Sequence, residues 1–247
     1  MGTMIEIDTD DGTAEAYLTG AGPGVLFFMD AIGLRPRIKE MADRIAGWGY
    51  TVLAPNVYYR LGTAQELEPS MDLTIPENRK AFGSVTMPRV QGYTPDESDP
   101  DSERWLDALA EHAAPGPVGV TGYCMGAKLA LRAAALRPGQ VAAAAGFHGA
   151  ALVDGTDSSA HLLLPRCRAE FAFGHADADP ANDAEAIAEL GRSLDAAGLT
   201  ALNETYPDAP HGFSMSDTAS YQEAGAERMF ATIEALFART LGGPVDA

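Results

Sequence analysis

The chain has 247 residues, 46% of them apolar, with 35 acidic against 17 basic side chains and a formal net charge of −18. That length suits one α/β domain spanning 1–247, and the charge excludes nucleic acid and anionic membrane surfaces as partners. Two cysteines exclude a disulfide framework, and the lack of a leader-like start or of any apolar run near the ~18 residues of a membrane span predicts a cytoplasmic protein.

The spacing of apolar residues predicts the elements in order. Met4–Asp8 and Thr13–Leu18, separated by a turn with Gly12, read as an antiparallel hairpin. Gly24–Met29 is an apolar strand, and Arg35–Trp48 carries Ile38, Met41, Ile45 and Trp48 at helical spacing. Tyr50–Ala54 is the next strand, stopped by Pro55, which completes a βαβ unit. Residues 58–97 hold Pro69, Pro76, Pro88 and Pro95 without sustained periodicity, predicting an irregular excursion with one short helix near 76–84. An excursion of that length suits a lid over a site.

Asp101–His112 predicts a helix, Val118–Thr121 a strand, and Met125–Leu136 a helix ended by Arg137-Pro138-Gly139. Val141–Phe147 and Ala169–Phe173 read as strands, Ala181–Ala197 as a helix, Ala201–Tyr206 as the last strand and Thr218–Thr240 as a closing helix. The alternation predicts an α/β fold: a mostly parallel sheet with helices on both faces and an N-terminal hairpin.

Chemistry concentrates where the Val118–Thr121 strand meets the Met125–Leu136 helix. Gly122-Tyr123-Cys124-Met125-Gly126 places a cysteine in a turn so tight that glycine is required on both sides. With 26 glycines in 247 residues, about one cysteine in ninety would be flanked this way by chance. At the start of a helix the thiol meets unpaired N–H groups and the positive end of the dipole, which favour the thiolate. The N–H of Met125 would face a developing oxyanion.

A thiol nucleophile needs a base and the base needs an orienting acid. His148, His175 and His211 all lie near predicted strand ends, and His211, just past the last strand in Pro210-His211-Gly212-Phe213, is the expected base. Gly174-His175-Ala176-Asp177-Ala178-Asp179-Pro180 offers two carboxylates. Asp177 is the expected acid, while Asp179, directly before a proline, reads as a helix N-cap. His148 is a candidate pocket residue at a strand end. Cys167 lacks a glycine turn and reads as structural, and no His, Cys or Asp cluster has metal-ligand spacing, so no metal or cofactor is expected.

The motifs around Cys124, Asp177 and His211, with Ala54-Pro55-Asn56-Val57-Tyr58-Tyr59-Arg60, resemble the dienelactone hydrolase (carboxymethylenebutenolidase) family of α/β-hydrolases from about residue 24 onward. The resemblance implies a Cys124, Asp177, His211 triad that hydrolyses a small-molecule ester or lactone through a thioester, in a monomer or homodimer. It implies that Asp30 contacts the resting thiol and takes its proton, and that Ala31 supplies the second oxyanion N–H. Two family arginines hold a substrate carboxylate. Arg79 and Arg89 are candidates for one, but Met215 stands four residues after His211, where the other belongs. Phe213 joins Arg79, Arg89 and His148 as a candidate substrate-binding residue. A general carboxylesterase or thioesterase with an apolar pocket, a redox-sensing thiol protein and a non-catalytic binding protein are the alternatives.

Overall fold

The computed structural model describes residues 2–242. One eight-stranded sheet organises them, in the order β1-β2-β4-β3-β5-β6-β7-β8. β1 (Thr3–Thr9) and β2 (Gly12–Gly20) form the expected hairpin, and β2 also lies antiparallel to β4 (Thr51–Pro55). β3 (Pro23–Phe28), β5 (Ala114–Tyr123), β6 (Val141–Phe147), β7 (Glu170–Ala176) and β8 (Ala201–Tyr206) continue the sheet in parallel. Parallel strands have their C-terminal ends on one edge, and the reactive side chains gather there.

Helices cover both faces. α1 (Pro36–Ala46) buries Ile38, Met41, Ala42 and Ile45, the stripe read from the sequence. It lies on the same face as the closing helix α7 (Glu223–Thr240), where Trp48 meets Phe230 edge-on with ring centroids 6.1 Å apart. α4 (Pro95–His112), α5 (Met125–Leu136) and α6 (Ala184–Ala196) pack on the other face. α5 lies against β5 and β6 through a run of alanines, whose small side chains let helix and sheet approach closely.

Residues 58–97 differ from the expected irregular excursion. They form a short helix α2 (Ala64–Leu67), with Thr63 and Glu66 in a reciprocal capping box, and the 17-residue α3 (Pro76–Gly92). α3 starts with proline at its first position, where no N–H is needed, and continues through Pro88. α4 likewise begins six residues earlier than expected, at Pro95, and absorbs Pro100. α6 begins at Ala184 because the side chain of Asp183 caps it by accepting the Ala186 N–H at 2.9 Å. A 3₁₀ turn at Ala160–Arg166 was not expected. No helix among the described residues is long and apolar enough to cross a membrane.

Candidate active site

β5 ends at Tyr123 and α5 begins at Met125, so the chain reverses at Cys124, which takes a left-handed φ of 54°. A non-glycine residue held there stores roughly 1–3 kcal/mol of strain and requires anchoring on every side. The Cys124 N–H donates to Phe147 O at 3.1 Å, and its carbonyl accepts from Ala127 and Ala150 N–H groups at 3.2 Å each. A Cβ on Gly122 would come within 1.9 Å of Gly126 O, and one on Gly126 within 2.5 Å of Met29 O. Both glycines are therefore steric requirements of the turn. Met125, the first residue of α5, has no intrahelical partner for its N–H.

His211, past the end of β8, places Nε2 3.1 Å from the Cys124 Sγ. Its Nδ1 donates to Asp179 Oδ2 at 2.6 Å, and the other carboxylate oxygen, Oδ1, accepts the Ala181 N–H at 2.9 Å. Burial opposes a charge on the ring, but the Cys124 sulfur and Asp179 outweigh it and raise His211 to about 10. A thiol, an imidazole and a carboxylate thus form one hydrogen-bonded chain.

The carboxylate is Asp179, not the expected Asp177. β7 runs on through Ala176, and Ala178 turns the chain with a φ of 51°. Asp177 is left exposed at the rim, where its carboxylate accepts the Asp208 N–H at 3.0 Å and its own N–H donates to Ala209 O at 2.7 Å. It ties the two loops together from outside, while the reversal turns Asp179 inward beneath His211. The N-cap role expected of Asp179 belongs to Asp183.

Asp30 does line the cavity beside Cys124, but its contacts differ from those the resemblance implied. Its carboxylate is gripped by Arg35, with Nη1 to Oδ1 at 2.7 Å and Nη2 to Oδ2 at 3.1 Å, and Oδ1 also accepts the Ile32 N–H at 3.1 Å. Asp30 itself makes no hydrogen bond to the Cys124 thiol among the described residues. Aspartate is short, and a buried guanidinium that matches both its oxygens holds it away from sulfur. The adjacent Ala31 also lines the cavity.

The cavity has a volume of about 210 Å³. α3 forms its roof with Arg79, Phe82, Thr86 and Met87, and Leu73 and Met215 extend the apolar wall. Arg79 donates to the His211 carbonyl at 3.1 Å. Arg89 is elsewhere: it donates to Leu67 O at 3.2 Å and borders a separate cavity with Tyr58 and Tyr93, so it does not join the site.

His148 reaches the cavity wall, fully buried, with Nε2 2.8 Å from Ser214 Oγ and Nδ1 without a partner among the described residues. Burial, and then the charge on His211, hold its pKa well below the usual histidine value, so it is neutral at pH 7. Phe213 is buried behind the wall, 4.9 Å from the His148 ring and 5.4 Å from that of Tyr206, and supports the site without lining it. His175 lies on β7 between Asn203 and Asn182. Cys167 is buried, and that burial pushes its thiol up to about 12. Among the described residues no group of three His, Cys, Asp or Glu side chains could hold a metal ion.

Sequence reasoning missed Arg35, whereas the methionines and aromatics of residues 71–93 do favour an apolar pocket and line this one through Phe82 and Met87. Arg35 precedes a proline at a helix start, and nothing in that local pattern reveals that its side chain turns back into the protein.

Comparison with known proteins agrees with this architecture. A candidate carboxymethylenebutenolidase of Methylorubrum extorquens is 27% identical over 236 residues, covering 90% of this chain and 76% of that one. A candidate dienelactone hydrolase structure from Klebsiella pneumoniae superposes with a TM-score of 0.78 at 23% identity, over 97% of this chain and 98% of its own. The dienelactone hydrolase structure from Anabaena variabilis gives 0.66 at 18% identity with the same coverage of both chains. The model of the dienelactone hydrolase family matches residues 13–241. With a glycine-flanked thiol at the strand-to-helix turn and that match over almost the whole length, the chain belongs to the dienelactone hydrolase family, as a hydrolase of the carboxylic-ester class.

Proposed function

We propose that this enzyme cleaves an ester or lactone through Cys124, His211 and Asp179, by way of a thioester. The observation that carries the reading is the chain of contacts at 3.1 and 2.6 Å that opens onto a mostly apolar cavity. The thiolate attacks the carbonyl carbon, and the oxygen that becomes negative is received by the N–H groups of Met125 and Ala31. Collapse expels the alkoxide or enolate, which takes the proton from His211 Nε2. The imidazole then removes a proton from water, hydroxide attacks the thioester, and the acid departs as Cys124 returns to the thiolate. Asp179 holds the ring with Nε2 towards sulfur throughout.

The cavity favours a compact acyl group. Leu73, Phe82, Met87 and Met215 offer no charge to a substrate carboxylate, which leaves Arg79, beside the protonated His211, as the cationic wall among the described residues. This supports neutral or singly anchored esters and enol-lactones, whose leaving groups depart readily from a thiolate. Intact-mass spectrometry of the wild-type enzyme, quenched in acid during turnover of a p-nitrophenyl ester, should show an acyl adduct on Cys124 that Cys124→Ala lacks. Absence of the adduct, or turnover retained by Cys124→Ala, would overturn the reading.

A further inference from the structure

The loop from His211 to Thr218 carries the base, and three arginines from two helices hold it at three points. Arg79 of α3 donates to the His211 carbonyl at 3.1 Å, and Arg37 of α1 donates to the Ser214 carbonyl at 2.7 Å. Arg35, at the N-cap of α1, holds the third point, Asp217.

Arg35 differs from the other two because it also grips a second loop. Nε and Nη2 donate to the two oxygens of Asp217 at 2.5 and 3.1 Å, while Nη1 and Nη2 donate to those of Asp30 at 2.7 and 3.1 Å. Nη1 also donates to Gly33 O at 3.1 Å. A guanidinium has five N–H bonds, and all five are used. The side chain is 3% exposed, and its pKa is driven upwards because the two carboxylates outweigh the cost of burial. Its backbone is fixed as well, since the Arg35 carbonyl accepts from Ile38 and Lys39 at the start of a helix whose apolar stripe is buried.

Asp30 immediately precedes Ala31, the proposed oxyanion donor, and Asp217 lies on the loop that presents His211. We infer that Arg35 is a positioning residue that sets the histidine loop in register with the oxyanion loop, so that base and oxyanion donor meet one carbonyl group. This rests on the catalytic reading above. The purely structural alternative is that Arg35 only neutralises the buried Asp30, in which case Asp217, with its side chain 36% exposed, would be dispensable.

Asp217→Ala separates the two, because it removes the tie to the histidine loop and leaves the Asp30 pair in place. We expect kcat to fall about tenfold with KM changed by less than about twofold, and the alkylation of Cys124 by iodoacetamide at pH 7 to slow by a similar factor, since thiolate reactivity depends on His211. Asp217→Glu should recover most of both. Arg35→Lys, which keeps the buried charge but cannot bridge two carboxylates with matched forks, should resemble Asp217→Ala while remaining folded by circular dichroism. Wild-type turnover and alkylation in Asp217→Ala would overturn the inference, as would equal losses in Asp217→Ala and Asp217→Glu. Alkylation is read without substrate, so it tests the register even if Cys124→Ala were to show that the ester chemistry lies elsewhere.

Discussion

Burial alone would drive the proton off His211, because a desolvated imidazolium is costly. The Cys124 sulfur and Asp179 reverse that preference and hold the ring up at about 10. The sign of the stability effect follows. In the unfolded chain an imidazole releases its proton near pH 6.5, so the stabilisation is complete below that pH and is lost as pH rises through 10. Replacing Cys124 with alanine removes the largest favourable contribution, so His211 should titrate at lower pH by NMR, and urea denaturation should show a smaller stability loss between pH 6.5 and 10 than the wild type. A His211 still titrating near 10 in Cys124→Ala would place the cause in Asp179 alone. The same geometry separates two neighbouring aspartates. Asp179→Asn should cost roughly 10²–10⁴ in kcat by leaving the ring without its orienting acceptor, whereas Asp177→Asn, at an exposed rim contact, should stay within about threefold. Steady-state kinetics on both variants checks this, and the reverse order would return the role to Asp177.

At the scale of elements, α3 decides what the cavity admits, and it is the element least legible in the sequence. Strand β6 and helix α5 were readable to the residue, because each has an uninterrupted apolar run or a stripe bounded by proline or glycine, and β8 from its place between Gly198 and Pro207. α3 has neither: only Phe82 and Thr86 are buried, and Gly83, Pro88 and Gly92 punctuate it. It persists because its inner face meets the cavity and because Arg79 and Arg89 tie it to His211 and Leu67, contacts that no local period encodes. The choice between Asp177 and Asp179 was hidden for a related reason, since it depends on a left-handed turn at Ala178, an alanine with no sequence signal for one. Cys124 and His211 were legible because the glycine turn and the position after the last strand are fixed by the fold.

Gly83 offers a test of the roof. A Cβ added there meets nothing within 4 Å, and the residue lines the cavity. Gly83→Ala should therefore stabilise the protein by about 0.5–1 kcal/mol through the helix preference of alanine, read from urea denaturation. Gly83→Leu should fill part of a cavity of about 210 Å³ and select against long acyl chains while sparing acetyl esters. An unchanged chain-length profile would show that acyl groups do not lie beneath α3.

Across the whole molecule the acidic excess sets how charged ligands approach. Ten arginines in the described residues form ion pairs with carboxylates, among them Arg44 with Glu227, Arg132 with Asp99 and Arg60 with Asp101. Their positive charge is largely cancelled, so a net charge of −18 is felt at a distance. Arg79 is different, because its hydrogen bond goes to a carbonyl, and its charge stays available to the cavity. A carboxylate-bearing lactone therefore meets long-range repulsion and short-range attraction of opposite sign. The two separate by ionic strength, since the Debye length falls from about 30 Å at 0.01 M to about 8 Å at 0.15 M. Screening over that range weakens the field of the whole surface and leaves a buried contact with Arg79 nearly unchanged. The expected result is that kcat/KM for the anionic lactone rises with salt, while that for a neutral ester of the same size stays flat. A fall for the anionic substrate would mean that capture by Arg79 outweighs the field of the rest of the chain, and Arg79→Gln would then remove the salt dependence.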